Sequence, residues 1–195
     1  MSSEERSPHR PDSAPALRLF FGLWPSPEAA AEMSKWAEDA HALCGGRLMR
    51  PDTLHITLAF LGSTSPERAE QLMREVPTWP AVVDDLILQR YGRFTGPRIV
   101  WAGPGRSDAD RVPWLDSLYD ELWGRLAALG WQKPASTFRP HVSLLRKAGP
   151  CALDQLSRPP LLWRPQRCVL VASTPSPGGS QYQVLAAMPL AGLQN

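Results

Sequence analysis

The stretches Leu54-His55-Ile56-Thr57-Leu58 and Pro140-His141-Val142-Ser143-Leu144 decide how this chain folds. Each sets a histidine and a hydroxyl two residues apart in an apolar, partly β-branched run. Along a strand, successive side chains point to opposite faces. His55 and Thr57 therefore share one face of a first strand, with Ile56 and Leu58 on the other. His141 and Ser143 share one face of a second, with Val142 and Leu144 behind them. Side by side across a groove, two such strands surround a small anion with two imidazoles and two hydroxyls, the equipment of a phosphate-transfer site.

Outward from these strands, about 53–61 and 138–146, the pattern is strands alternating with amphipathic helices. Leu17 to Leu23 alternates as a strand. Ser26-Pro27-Glu28 opens a helix with a hydroxyl cap, a proline and an acid, and Gly45-Gly46 stops it. Ser65-Pro66-Glu67 repeats that opening for a short helix to about Val76. Residues 82–91 and 98–102 read as strands. A helix over about 109–129 ends at Gly130, and two last strands cover about 166–173 and 181–188. The order looks like one unit written twice, with the two histidines 86 residues apart. Strands without regular βαβ alternation predict an α+β fold with largely antiparallel sheets. Residues 1–15, with His9, lack periodicity and read as a disordered tail ahead of a single domain over 16–195.

A hydrophobic share of 43% and a net charge of +2 describe a folded chain with no global basic character. Only Lys35, Lys133 and Lys147 of the 21 basic residues are lysine, a bias that GC-rich coding explains without function. Cys44, Cys151 and Cys168 are odd in number and contain no C-x-x-C pair, which predicts neither a disulfide framework nor a zinc site and fits a reducing compartment. Neither an apolar run long enough to span a membrane nor a secretory leader is visible, so cytoplasm and no membrane partner are expected.

The doubled His-x-Thr/Ser-x pattern resembles the two-histidine phosphoesterases. Arg18-Leu-Phe-Phe-Gly-Leu, Asp52 to Gly62, Arg98-Ile-Val-Trp-Ala-Gly103 and Phe138 to Arg146 are similar to their LigT-like branch, the RNA 2′,3′-cyclic phosphodiesterases also described as 2′-5′ RNA ligases. The resemblance covers roughly 17–190 and implies a bilobal fold, with helices outside and one motif from each lobe lining a central cleft. It implies hydrolysis of an RNA terminal 2′,3′-cyclic phosphate to a 2′-phosphate, needing neither metal nor cofactor, by a monomer acting on RNA ends or small cyclic nucleotides. It also implies that His55 is the proton donor and His141 the proton acceptor; the residues themselves are symmetric between the two roles.

The chemistry suits these residue types. One neutral and one protonated imidazole can take a proton from water and give one to the leaving ribose oxygen. Thr57 and Ser143 can hold the charge on the non-bridging oxygens. Arg139 and Arg146, beside the second motif, are candidates for phosphate, and Trp24 and Phe60 for a stacked base, although core packing competes for both aromatics. Asp52 is the only carboxylate close to either motif, so a local metal-ligand set is not visible. Three alternatives stay open: 2′-5′ RNA ligation as the reverse reaction, a phosphodiesterase for another 2′-linked nucleotide, and an RNA-end binder without turnover.

Overall fold

The computed structural model describes residues 16–105, 107 and 110–192, so the expected tail at 1–15 lies outside the described residues. Among the described residues, eleven strands and three α-helices follow in order: β1 (Leu17–Trp24), α1 (Pro27–Cys44), β2 (Arg47–Leu48), β3 (Ile56–Thr64), α2 (Pro66–Glu75), β4 (Ala81–Val83), β5 (Leu86–Phe94), β6 (Ile99–Pro104), α3 (Pro113–Ala128), β7 (Val142–Arg146), β8 (Leu161–Trp163), β9 (Arg167–Thr174), β10 (Gln181–Met188) and β11 (Leu190–Gly192). This is the α+β class the residues predict.

The main sheet runs β10-β9-β1-β3-β7-β6-β5-β8, with β2 added beside β7, and its pairings are antiparallel. Outward from the β3–β7 junction, each half presents the same order. β3 is flanked by β1, the strand before α1, and β7 by β6, the strand before α3. The doubled unit read in the sequence is thus two four-stranded halves meeting edge to edge.

Alternation explains why the sheet carries helices on one face and a site on the other. Leu19, Phe21 and Leu23 join Ile56, Val142 and Leu144 in a core shared with Met33 and Trp36 of α1, Leu72 of α2 and Leu115, Leu118 and Leu122 of α3. The intervening Phe20 and Trp24 instead form a second cluster with Val169, Val171 and Tyr182. The helix starts follow the caps: the Ser26 and Ser65 hydroxyls accept from the Ala29 and Arg68 N–H groups.

Four expectations are corrected. The strand expected at 82–91 is two: β4 pairs in parallel with β11, and the chain crosses to the main sheet at Asp84-Asp85, where Arg164 binds both carboxylates. The long helix begins at Pro113, not 109, behind Val112, which supplies no side-chain cap. The second motif strand begins at Val142, because Pro140 has no N–H to offer a ladder. Most consequentially, Cys44 and Cys151 form a disulfide with Cα atoms 5.1 Å apart. It ties the end of α1 to the segment after β7, where the Gly149 N–H also donates to the Cys44 carbonyl at 2.8 Å. Two cysteines 107 residues apart give no spacing signal, and the bond removes cysteine usage as a reason to expect a reducing compartment. Cys168 is buried and free, its thiol pushed up to about 12 by that burial.

Candidate active site

β3 and β7 meet through one register pair, Ile56 opposite Val142, so each histidine stands just ahead of the junction. Both imidazoles are held alike. Nδ1 of His55 lies 2.7 Å from the Thr53 carbonyl, and Nδ1 of His141 lies 2.8 Å from the Arg139 carbonyl. A carbonyl only accepts, so Nδ1 carries the proton in both, and Nε2 is the atom left to exchange one. The carbonyl that fixes each ring comes from two residues upstream. His55 gets its carbonyl from the 3-10 turn at Pro51–Thr53, and His141 gets its own from the extended approach to β7.

Around that shared plan the two surroundings differ. Trp24 stacks on His55 with centroids 4.6 Å apart and planes 13° apart, while Phe20 and Tyr182 close the ring's other sides at 5.0 and 5.5 Å. The Trp24 indole N–H donates to the Asp52 carbonyl at 3.1 Å. Gly22 makes this stack possible: a Cβ there would meet the Trp24 ring at 2.8 Å and the His55 ring at 3.2 Å. His141 instead meets the edge of Phe94 at 4.8 Å, with Trp101 at 6.1 Å.

Burial disfavours the charged imidazole and lowers both pKa values from 6.5, that of His55 to about 4. The carbonyl contacts oppose the shift, and the nearby Arg146 guanidinium reinforces it at both rings. Both histidines are therefore neutral near pH 7. The Thr57 hydroxyl lies 3.1 Å from Nε2 of His55, where a neutral ring accepts its proton.

Three cavities meet here. One of about 380 Å³ is lined by His55, Thr57, Phe60, Arg146, Arg18, Arg47, Arg50, Tyr182 and the β9–β10 loop. A second of about 110 Å³ holds His141, Arg139, Phe94 and Trp101. A third of about 460 Å³, lined by Thr57, Phe60, His141, Arg139, Tyr119 and Phe138, bridges the two motifs. The structure thus brings His55, His141, Thr57, Phe60, Arg139 and Arg146 around connected space. Phe60 is 55% exposed and belongs to both large cavities. Ser143 pairs with Trp101 across β7–β6 and borders none of these cavities. Trp24 is buried beneath His55, so its ring supports the imidazole and is not free to stack a base.

Sequence reasoning did not place Tyr182, Arg18, Arg47, Phe94 and Trp101 along these cavities. The strands of Arg18, Trp101 and Tyr182 were read, but a period-two pattern does not say which strands will be neighbours, while Arg47 and Phe94 fall outside the strands the pattern shows. Among the described residues, no group of three His, Cys, Asp or Glu side chains is placed to share a metal, and no helix is long and apolar enough to cross a membrane.

Fold and site are similar to those of known phosphoesterases: residues 23–101 match the family model described as LigT like Phosphoesterase. Among its relatives, the RNA 2′,3′-cyclic phosphodiesterase of Thermus thermophilus is 29% identical over 195 residues, covering 90% of this chain and 91% of the relative. The enzyme of the same name from Escherichia coli is 29% identical over 137 residues, 67% of this chain and 72% of the relative. The crystal structure of E. coli LigT complexed with 3′-AMP superposes with a TM-score of 0.74 at 27% identity, covering 90% of this chain and 99% of that one.

Proposed function

We propose that the chain hydrolyses the 2′,3′-cyclic phosphate at an RNA end to a 2′-phosphate, with His55 and His141 as its two proton carriers and no metal. The observation that carries this reading is the matched locking of the two imidazoles, Nδ1–H to a carbonyl in each, at one strand junction beside Arg146. Water attacks phosphorus and gives a proton to Nε2 of His141. The bond from phosphorus to the 3′ oxygen breaks, and that oxygen takes a proton from Nε2 of His55, leaving the phosphate on the 2′ oxygen. Thr57 donates to the non-bridging oxygens, Arg139 and Arg146 neutralise them, and Phe60 offers an exposed ring to the base, while Ser143, which borders none of the cavities, takes no part in this reading. Trp24 serves the reaction through His55.

Both imidazoles are neutral in the free protein, so the donor has to be charged on binding. An anionic phosphate beside an imidazole favours its protonated form, and the substrate thereby loads its own acid. The reading assigns a monomer over 16–195, working in the cytoplasm with residues 1–15 as a dispensable tail.

Chelator-treated protein should convert an RNA oligomer ending in 2′,3′-cyclic phosphate to the 2′-phosphate, and His55→Ala and His141→Ala should each abolish this. Absence of product from folded native protein would overturn the reading.

A further inference from the structure

The cavity beside His55 carries more positive charge than one cyclic phosphodiester can use. Arg18, Arg47, Arg50 and Arg146 line it, and among the described residues no carboxylate does. A cyclic phosphodiester bears a single negative charge. Arg146, whose charge reaches both imidazoles, is enough to answer it.

The other three guanidinium groups are placed by the fold. Arg47 stands directly opposite Arg146 across the β2–β7 pairing, an unfavourable meeting of like charges that a bound anion would relieve. Arg47 is also anchored, its Nη1 donating to the Gly178 carbonyl at 2.8 Å. Arg50 is steered by Asp52, whose carboxylate lies 3.2 Å away but outside the cavity lining. Arg18 lies over the Phe60 ring at 5.7 Å. Ser173 and Ser180 complete the wall. The space joining the two motifs is different in kind, with Phe94, Tyr119, Trp123 and Phe138 along it.

We propose that Arg18, Arg47 and Arg50 form a second phosphate subsite, which takes the phosphate on the 5′ side of the reacting nucleotide while its base turns toward the aromatic space. The proposal rests on the cyclic-phosphate reading above and deepens it. The molecule should select a substrate with a second phosphate over the cyclic phosphate alone. That phosphate is either an internucleotide link or a free 5′-phosphate; the chemistry recognised is the same.

Three substrates sharing one terminal nucleoside separate these sources: the bare nucleoside 2′,3′-cyclic phosphate, the same with a 5′-phosphate, and a trinucleotide ending in it. Native protein is expected to show kcat/KM at least tenfold higher for one or both phosphorylated substrates, falling as salt rises. In Arg18→Gln/Arg47→Gln the preference should shrink to within about twofold, with turnover of the bare compound little changed. Arg18→Gln alone leaves the Gly178 anchor intact and should lose part of the preference. Preference for the trinucleotide only would assign the internucleotide link; preference for both would assign any 5′-phosphate. Equal kcat/KM for all three in native protein, or a preference that survives in the double variant, would overturn the subsite.

Should native protein turn over none of them, the hydrolytic reading fails and the subsite is judged by binding. Nucleoside 2′-phosphate with and without a 5′-phosphate would then be titrated by tryptophan fluorescence. A 5′-phosphate gain in affinity that is present in native protein and absent in the double variant supports the subsite, and no such difference rejects it.

Discussion

Ile56 and Val142 stand opposite each other at the seam of the sheet, and their pairing fixes the relation between the two motifs. Carrying that antiparallel register one residue further sets Thr57 across from His141 and Ser143 across from His55. Thr57, hydrogen-bonded to His55, is thus placed toward the other motif's histidine as well, and the two half-sites join through backbone pairing. The bridging cavity that Thr57 and His141 share is consistent with this.

Acid should destabilise the fold in a defined window. The folded pKa of His55, about 4, lies below its ordinary 6.5. Between those values the unfolded chain binds the extra proton, so stability falls as pH drops from 6.5 to 4. His141, shifted in the same direction, adds to the effect. The full His55 contribution is on the order of 3 kcal/mol, at about 1.4 kcal/mol per pH unit. Urea midpoints measured from about pH 7 down to about pH 4 should fall, and His55→Asn should flatten the slope.

The same shifts set the rate profile. Since the phosphate charges the acid, the pKa governing loss of the protonated donor should be higher in kcat, which reports the complex, than in kcat/KM, which reports the free protein. Coincident values in the two profiles would contradict substrate loading of the donor.

Trp24 keeps water from one face of His55. Trp24→Leu should raise the His55 pKa toward 6.5, followed by its ring-proton NMR titration, because burial is the main cause of the depression. An unchanged titration would locate the cause elsewhere.

Gly22→Ala adds one methyl where the Trp24 ring would be 2.8 Å away. Overpacking of this kind costs about 1–3 kcal/mol. The displaced stack carries His55 with it, so kcat should fall at least tenfold, measured alongside the melting temperature.

Cys44→Ser and Cys151→Ser should each lower stability to that of the reduced native protein. A cross-link between residues 107 apart restricts the unfolded chain by about 4–5 kcal/mol in the loop-entropy account, an upper figure. In a domain of this size that corresponds to a melting-temperature loss on the order of 10 °C. Scanning calorimetry with and without reductant checks it.

Much of this was legible beforehand. Period-two alternation located β1, β3, β9 and β10, and Ser-Pro-Glu openings located α1 and α2. The spacing inside each motif placed histidine and hydroxyl together. What was not legible depended on partners. Arg47 enters the site because β2, two residues long, pairs with β7, and two residues have no periodicity to read. Tyr182 enters because β10 reaches β1 only through β9. Trp24 reads as an aromatic beside a cleft, and only the missing side chain at Gly22 explains why it lies under His55.

The order of strands also bears on how the molecule is made. The half that carries His141 uses β5, β6, β7 and β8, all within residues 86–163. The half that carries His55 needs β9 and β10, at 167–188, to cover β1, at 17–24. During synthesis the later half can close on itself while the earlier one waits for strands not yet translated. Of the two motif histidines, the first to leave the ribosome is therefore the last to reach its finished surroundings.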